Sequence, residues 1–560
     1  MINHPVSRRQ LMTIGTAGAV GLGLAGCSTG APTSSTGSRA ETVLPSYKPQ
    51  QPATGAGAVS SEVDDLPQIY TRNPTRYWSS VEAPPGDGGQ VTTFQMLWFA
   101  PPAAVGKNPY WQQLNKNLNV DYRPTLASSD TYNDKLATVL AGGNVPDLAF
   151  IQDQVAVGAQ AIQQGAFADL TDVLAGDKIL KYPNLANLPT YGWQNSAKNG
   201  RIFGIPHVNP AVSSSATIRT DLMRAAGYRE QPTSADEMLA LFTDLSKIKK
   251  FGGKQVWPIG GLGTYQIQRF VSWMQGVGPS WREDGGKLIN QLETDEFAST
   301  IDYLIKLWKA GCFHPDALAL GSDSQRSKEK QMWTEGRFAF ELDSPPWLAQ
   351  QGMQQVEDGT QGAIVDFLQP APADGVEVVV ERDAGYWGIV GISAKAAEDD
   401  RKLDRLLGIC NYFAAPYGTT ESLFLGSGIE GYNFRFGADK KIIDLDNSQA
   451  ETNLQGLHWL GASSPSTITL DGVNARRKDN LLADLEMLTK ASKTDPTVGL
   501  YSDAQTRSSA KLDQLNEDWR NKIVTGRAPM TAIAQWRQEW RRAGGDQVRQ
   551  EFQDAMQKGH

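Results

Sequence analysis

The chain has 560 residues, of which 40% are apolar, and its formal net charge is −8 at pH 7. Its length allows two or more packed lobes, and 15 tryptophans with that apolar content indicate ordered, globular structure. Nucleic acid binding depends on clustered lysine and arginine, so the acidic balance argues against a nucleic acid partner.

The first 26 residues are typical of an export leader. Ser7-Arg8-Arg9 supplies positive charge, and the apolar run from Leu11 to Leu24 is too short for a comfortable membrane span. The sequence Leu24-Ala25-Gly26-Cys27 resembles a lipoprotein cleavage box, and the twin arginines resemble a Tat-type signal. We therefore expect a lipidated Cys27 that anchors the protein to the outer face of the cytoplasmic membrane; an ordinary secretory peptide with a chance cysteine is the alternative.

Residues 27–89 follow the leader. Their first part, up to about Leu66, is rich in serine, threonine, glycine, alanine and proline. Such a composition cannot bury a core of its own, which predicts a flexible tether. The part from Pro67 to Gly89 carries Tyr70, Tyr77 and Trp78. We expect that part to lie along the first lobe without regular structure.

Strands and helices then alternate. A strand is predicted from Val91 to Phe99, and Asp130 can cap a helix that ends at Gly142 and Gly143. The apolar run from Leu148 to Ile151 is typical of a strand covered on both faces, and it ends at Asp153. This alternation indicates an α/β fold with a largely parallel sheet, whose ligands sit outside the carboxyl ends of the strands. Asp153 is therefore a candidate ligand group, although it could instead cap the next helix.

The later chain continues this pattern. A strand is predicted from Ala216 to Arg219, and an amphipathic helix from Thr294 to Ala310. Further predicted elements are a strand from Tyr386 to Ser393, a helix from about Ala397 to Ala415, and C-terminal helices with inward stripes that include Trp519 and Trp536.

Three segments carry a family resemblance: TYNDKLATVLAGGNVPDLAFIQD (131–153), MWTEGRFAFEL (332–342) and KIVTGRAPMTAIAQWRQEWRRAGGDQVRQEF (522–552). Together they resemble the family 1 extracellular solute-binding proteins, the sugar-capturing components of bacterial ABC importers, and in particular their larger oligosaccharide binders. The resemblance implies a two-lobed α/β fold of the periplasmic-binding-protein type, with crossover hinge strands and a ligand cleft between the lobes. It implies that Met332–Leu342 is a helix end followed by a strand, and that this strand leaves its sheet at Asp343 to Trp347. It implies an N-terminal lobe of residues 90–215 with 364–425, and a C-terminal lobe of residues 216–363 with 426–560. It also implies a carbohydrate ligand, an ABC permease as partner, a monomer, and neither catalysis nor a cofactor.

A sugar offers hydroxyl groups on its edges and C–H patches on its faces, so its site needs flat aromatic rings and charged hydrogen-bonding groups. The candidate ligand-binding residues are Trp98, Asp153, Trp273, Trp281, Asp343, Trp347, Tyr386, Trp387, Glu430 and Tyr432. Trp98 could instead be a buried strand residue, and Trp273 could be a core residue of a helix.

Other chemistry is weakly supported. The chain has no His-Glu-x-x-His and no P-loop motif. Cys312 and Cys410 suit two buried thiols better than a disulfide. Asp444, Asp446 and Ser448 resemble a calcium loop that lacks its sixth-position glycine, so no metal site is predicted. Two alternative functions stay open: a binder of peptides or other polar solutes on the same scaffold, and a surface-anchored glycosidase, which needs only two carboxylates.

Overall fold

The computed structural model describes residues 43–59, 61, 63, 66–97, 101–198, 200–322, 325–445, 457, 460 and 467–558, without the side chains of residues 264, 265, 439 and 558. The predictions for the export leader, for the lipidation of Cys27, for Trp98 and for the loop residues Asp446 and Ser448 lie outside the described residues. Among the described residues, no helix combines the length and the apolar sequence that crossing a membrane requires.

The first lobe is built on a five-stranded sheet. Its strands lie in the order Asp121–Ser128, Gln90–Leu97, Leu148–Ile151, Tyr386–Ile392 and Ile205–Val208. The first three are parallel, whereas Tyr386–Ile392 runs antiparallel to both of its neighbours. The largely parallel sheet is thus confirmed, with one reversed strand that arrives from far along the chain.

Local sequence explains where the first-lobe helices begin and end. Asn108 caps the helix Pro109–Leu118 by accepting from the Trp111 amide, with proline at the first helical position. Gly143 has a φ of 69°, the left-handed conformation that ends the helix Tyr132–Ala141. The α-helices around this sheet are Pro109–Leu118, Tyr132–Ala141, Ala156–Gln163, Thr171–Leu174, Pro183–Ala186, Thr190–Ser196, Ala394–Ala397, Asp400–Phe413 and Thr420–Ser427.

The second lobe is built on a three-stranded antiparallel sheet. The strand Ser215–Arg219 lies between Phe340–Asp343 and Val365–Phe367. We therefore move the proposed return to the first lobe from residue 364 to the chain after Phe367; the other lobe boundaries remain predictions.

Helices surround this second sheet. They are Thr220–Ala225, Ala235–Leu245, Arg269–Met274, Asp295–Lys309, Ala317–Leu320, Arg326–Thr334, Pro345–Trp347, Met353–Gly359, Ala475–Lys490, Asp503–Val524, Ile533–Trp540 and Asp546–Lys558. Short strand pairs are Lys250–Phe251 with Lys254–Gln255, Trp281–Asp284 with Lys287–Asn290, Phe434–Phe436 with Ile442–Asp444, and Val380–Arg382 with Ser492–Thr494. The predicted inward stripe of the C-terminal helices is present, because Trp519 and Trp536 are buried in the same core as the Asp295–Lys309 helix.

The residues before the first sheet pack against the rest of the molecule. We name residues 43–59, 61, 63 and 66–85 the strap. It contains the strands Ala58–Val59 and Gln68–Tyr70, which form a sheet with Thr467–Thr469. This corrects the predicted flexible tether for this part of residues 27–89. The strap is too poor in apolar residues to fold alone, but Ile69 is buried in a second-lobe core, and Ala53, Ala56 and Tyr70 form a small buried cluster with Tyr417.

The two later cysteines are both buried and free. Cys312 lies in the second-lobe core and Cys410 in the first-lobe core, which confirms the prediction of two separate thiols.

Candidate functional site

The reversed strand brings three predicted residues to one edge of the first-lobe sheet. Asp153 follows the strand Leu148–Ile151, and the antiparallel strand begins with Tyr386 and Trp387. The start of an antiparallel strand lies at the carboxyl ends of its neighbours. Tyr386 accordingly pairs with Val208, the last residue of its strand.

Asp153 lies at the centre of a buried polar cluster. One of its oxygens, Oδ2, lies 2.8 Å from Lys198 Nζ and accepts a hydrogen bond of 2.9 Å from the Tyr386 hydroxyl. The Asp153 side chain has 0% exposure and that of Lys198 17%. The other oxygen, Oδ1, is buried without a hydrogen-bond donor among the described residues. A buried carboxylate oxygen without a donor is costly, and at 0% side-chain exposure Oδ1 accepts from a ligand hydroxyl only if the neighbouring side chains move aside.

Lys198 remains protonated beside this carboxylate. Burial alone would lower the pKa of the Lys198 ammonium, but Asp153 and Tyr386 outweigh burial and raise it. The cluster is therefore an ion pair held in place by a tyrosine hydroxyl.

Trp387 forms an aromatic wall beside this cluster. It is half-buried, and its ring centroid lies 5.2 Å from that of Phe150 and 6.1 Å from that of His207. Burial lowers the pKa of the His207 imidazole to about 4, so that ring is neutral at pH 7. This edge of the first sheet thus combines a carboxylate with a partly exposed indole.

The second-lobe sheet has a similar polar edge. Asp343 ends its strand opposite Ser215, the residue at which the chain enters this sheet from the first lobe. One oxygen of Asp343 lies 2.9 Å from both Arg326 and Lys330, and the other accepts a 2.6 Å hydrogen bond from the Ser344 amide. Burial opposes ionisation of Asp343, but Lys330 and Arg326 outweigh it and keep the pKa of that carboxyl below its usual value.

Two further carboxyl groups form ion pairs with Arg326. Glu329 and Glu341 are buried, and both pair with the Arg326 guanidinium. Burial, reinforced by Glu329 and Asp343, raises the pKa of Glu341 to about 8 despite the nearby Arg326. Glu329 and Glu341 therefore hold the Arg326 guanidinium in position. Asp343 and Lys330 are more exposed than these two carboxyl groups.

Trp347 adjoins Lys330. The ammonium lies 3.5 Å from the centroid of the half-buried indole ring, a close cation–π contact. Trp333 lies 5.7 Å from the same ring, and Gly352 approaches it so closely that a Cβ there would come within 2.8 Å of it. Trp347 is therefore held by its neighbours, and Lys330 covers one of its faces.

Both sheet edges belong to the side on which the lobes meet. Residues 209–214 join the first-lobe strand Ile205–Val208 to Ser215–Arg219. Six residues span about 20 Å at most when fully extended. Contacts between the lobes include Ser327 Oγ to Asp130 Oδ1 at 3.5 Å and Gln163 Nε2 to Asp503 Oδ1 at 3.4 Å.

Trp273 and Trp281 are placed elsewhere. Trp273 is buried in the second-lobe core beside Phe270, and Trp281 packs against Trp540 and Phe552 of the C-terminal helices. Trp273 is 4% and Trp281 5% exposed, so this packing argues against the predicted ligand role of both rings. The sequence around Trp281 does not indicate that its hairpin packs against helices more than 200 residues later in the chain.

Glu430 and Tyr432 lie in the loop before the strand Phe434–Phe436. Glu430 is exposed and Tyr432 is half-buried, and their ligand role stays a prediction.

Sequence reasoning missed three cations of the site: Lys198, Arg326 and Lys330. Arg326 and Lys330 are four residues apart on the helix Arg326–Thr334, and this spacing places them on one face. That spacing, read together with the strand exit at Asp343, was an available signal. Lys198 lies in a turn, and nothing in the sequence near it indicates a contact with Asp153.

Two cavities are lined by residues other than those of the two edges. A cavity of about 440 Å³ is lined by residues that include Asp236, Asp302 and Tyr303. A second, of about 320 Å³, is lined by residues that include Trp281 and Arg282. Among the described residues, no group of three or more histidine, cysteine, aspartate or glutamate side chains could hold a metal ion.

Comparisons with known proteins agree with this architecture. The family model described as bacterial extracellular solute-binding protein matches residues 97–401, more than half of the chain. The lipoprotein LipO of Bacillus subtilis (strain 168) is 21% identical over 474 residues, covering 82% of this chain and 91% of that protein. The polygalacturonan/rhamnogalacturonan-binding protein YtcQ of the same organism is 22% identical over 493 residues, covering 84% and 93%. The crystal structure of the alginate-binding protein AlgQ2 without calcium ion matches with a TM-score of 0.61 and 15% identity, covering 86% of this chain and 99% of that chain, and this likeness shows the fold.

Proposed function

The chain belongs to the family of bacterial extracellular solute-binding proteins, and from that premise we propose that it captures an oligosaccharide for import by an ABC transporter. The observation that supports this most directly is the pair of polar and aromatic clusters on the two sheet edges. Asp153 with Trp387 forms one cluster, and Asp343 with Trp347 forms the other. Each places charged hydrogen-bonding groups beside a flat ring, and a sugar edge and a sugar face require these two kinds of group. The Trp387 ring is partly exposed, whereas stacking on Trp347 requires Lys330 to move off the ring face that it covers.

The relatives support a carbohydrate as the ligand class. YtcQ is named for binding polygalacturonan and rhamnogalacturonan, and AlgQ2 for binding alginate. All three of these polysaccharides are acidic, so we include acidic oligosaccharides among the candidate ligands. Closure of the lobes around the ligand would be the binding step, followed by delivery to a membrane permease.

We further propose that Cys27 is lipidated after export through the Tat-type leader, so that a monomer is held on the outer face of the cytoplasmic membrane. One similar protein, LipO, is named as a lipoprotein. A multi-acyl anchor holds a protein stably, because each buried CH₂ contributes about 0.8 kcal/mol.

The proposed role is binding without catalysis. Two carboxyl groups of the second-lobe cluster, Glu329 and Glu341, are buried and paired with Arg326. They are therefore occupied in positioning a cation. Binding of peptides and hydrolysis of glycosidic bonds remain alternatives that the same experiment addresses.

The test is calorimetric titration of the mature chain with neutral oligosaccharides, oligogalacturonates and peptides. We expect micromolar or tighter binding of an oligosaccharide, weakened at least tenfold in Trp387→Ala and in Trp347→Ala. The matched control is Trp308→Ala, which removes another half-buried tryptophan that packs 5.3 Å from Phe313.

Three outcomes would contradict the proposal. Binding of peptides alone would favour the polar-solute alternative, and release of reducing ends from a polysaccharide would establish a glycosidase. Equal affinity of all three tryptophan variants and the wild type would reject the proposed site.

A further inference from the structure

The strap contacts the first lobe at both of its ends. At its beginning, the amide of Ser46 donates to the Gly176 carbonyl at 3.1 Å, and the amide of Lys48 donates to the Ala186 carbonyl at 2.8 Å. At its far end, the Trp78 carbonyl accepts from the Thr420 amide at 2.8 Å. Leu44 and Val81 also pack against the first-lobe core. The two ends of the strap are thus fixed to one lobe.

The middle of the strap contacts the second lobe. Its strand Gln68–Tyr70 pairs in parallel with Thr467–Thr469, which leads into the helix Ala475–Lys490 of the second lobe. Ile69 is buried in a cluster with Leu481 and Leu485 of that helix. The middle is therefore held by backbone hydrogen bonds and by a buried side chain.

Asn73 connects the two sets of contacts. Its side-chain amide donates to Asp471 Oδ2 at 2.8 Å, just before the second-lobe helix. Its side-chain oxygen accepts from the Tyr417 hydroxyl at 3.0 Å, and Tyr417 follows the first-lobe helix Asp400–Phe413. The Tyr417 ring also lies 5.0 Å from that of Tyr70. Asn73 is buried, so neither hydrogen bond is readily replaced by water.

We propose that the strap is a clamp that couples the two lobes and holds them in the arrangement seen here. A segment fixed at both ends to one lobe and in its middle to the other does not allow the lobes to separate at this place unless some of these bonds break. Hydrogen bonds of this kind span about 2.7–3.2 Å between heavy atoms, so separating the lobes at Asn73 breaks them, whereas a rotation centred close to Asn73 preserves them. The clamp thereby limits how far the lobes open.

The expected size of the effect follows from the Asn73 contacts. Asn73→Ala removes the hydrogen bonds to Asp471 and Tyr417 and a longer one, of 3.3 Å, from the Asn73 amide to the Lys440 carbonyl. If opening of the lobes breaks the two shorter bonds, their loss shifts the equilibrium between lobe arrangements by at least about fivefold. The double variant Asn73→Ala/Tyr417→Phe removes all of these bonds and leaves the strand ladder in place. Tyr417→Phe alone removes one hydroxyl and is expected to produce a smaller shift in the same direction.

The experiment is double electron–electron resonance between spin labels on the two lobes, measured without ligand. The labels replace exposed lysines, Lys116→Cys in the first lobe and Lys309→Cys in the second, because the native Cys312 and Cys410 are buried. The control is Asn117→Ala, which removes an asparagine–tyrosine hydrogen bond of 3.1 Å to Tyr412 within the first lobe.

We expect a broader distance distribution with a population of more open molecules in the double variant, and an unchanged distribution in Asn117→Ala. Distributions that coincide in the wild type, the double variant and Tyr417→Phe would overturn the clamp. So would an equal broadening in the control variant. The measurement needs no sugar, so a failure of oligosaccharide binding would refute the proposed function without affecting this test.

Discussion

Replacing Lys198 with methionine tests the first-lobe cluster most directly. The change keeps most of the aliphatic stem and removes the ammonium that lies 2.8 Å from Asp153 Oδ2. The Asp153 carboxylate, with a side-chain exposure of 0%, then keeps only the hydrogen bond from Tyr386.

The magnitude follows from the distance and the burial. Two unit charges 2.8 Å apart attract by about 6 kcal/mol at an effective dielectric constant of 20. Part of that attraction offsets the desolvation of the two groups, and breaking such a pair by removing one partner costs about 3–5 kcal/mol. We therefore expect Lys198→Met to lower the free energy of unfolding by about 3–5 kcal/mol at pH 7.

The assay is urea unfolding followed by tryptophan fluorescence, together with the calorimetric titration described above. Lys306→Met is the matched control, because Lys306 pairs with Asp302 at 3.0 Å while both side chains are about half exposed. Exposed pairs contribute about 1 kcal/mol or less. The double variant Lys198→Met/Asp153→Asn should lose less stability than Lys198→Met, because no unpaired buried charge remains.

The reasoning fails if Lys198→Met is no less stable than Lys306→Met. It also fails if Lys198→Met binds the ligand as tightly as the wild type, because Lys198 holds the carboxylate that we assign to the sugar. In that case the cluster would be structural only.

Three further predictions concern buried groups. Burial raises the pKa of the Asp484 carboxyl from 3.8 to about 7. Between about pH 4 and pH 7 the unfolded carboxyl has therefore lost its proton while the folded one keeps it, which favours the unfolded chain as the pH rises. We expect the free energy of unfolding of the wild type, relative to Asp484→Asn, to fall by about 1.4 kcal/mol per pH unit across this range in urea unfolding. A pH-independent difference would contradict this. Trp281→Ala should cost about 3–5 kcal/mol without changing ligand affinity, whereas Trp387→Ala should change affinity most; equal affinity losses in calorimetry would return Trp281 to the site. Burial raises the pKa of Cys312 and of Cys410 to about 12, so neither thiol should react with a disulfide reagent at pH 8 until the chain is unfolded.

Much of the fold was predictable from local sequence. The strand Leu148–Ile151 was predicted with its observed bounds, because a short apolar run between turn residues has few other interpretations. The helix Asp295–Lys309 was predicted within one residue at each end, since its apolar stripe and the Thr294 cap agree. Such local signals do not report what packs on an element from elsewhere in the chain.

The candidate site was predictable only in part for the same reason. Asp153 was chosen because it follows a strand and Tyr386 because it is aromatic, and the structure brings them together because the strand Tyr386–Ile392 runs antiparallel. Trp281 has the same local features as a site tryptophan, yet helices from the C-terminal end enclose it. Lys198 gave no signal, because its partner lies 45 residues earlier and depends on the path of a turn.

The position of the strand Tyr386–Ile392 has a consequence for synthesis and export. It lies between Leu148–Ile151 and Ile205–Val208, so a nascent chain that ends before it presents two unpaired sheet edges in the first lobe. Unpaired edges are templates for aggregation, and pairings this distant in sequence form slowly. The first-lobe sheet therefore cannot be completed until Ile392, nearly 400 residues along the chain, has been synthesised.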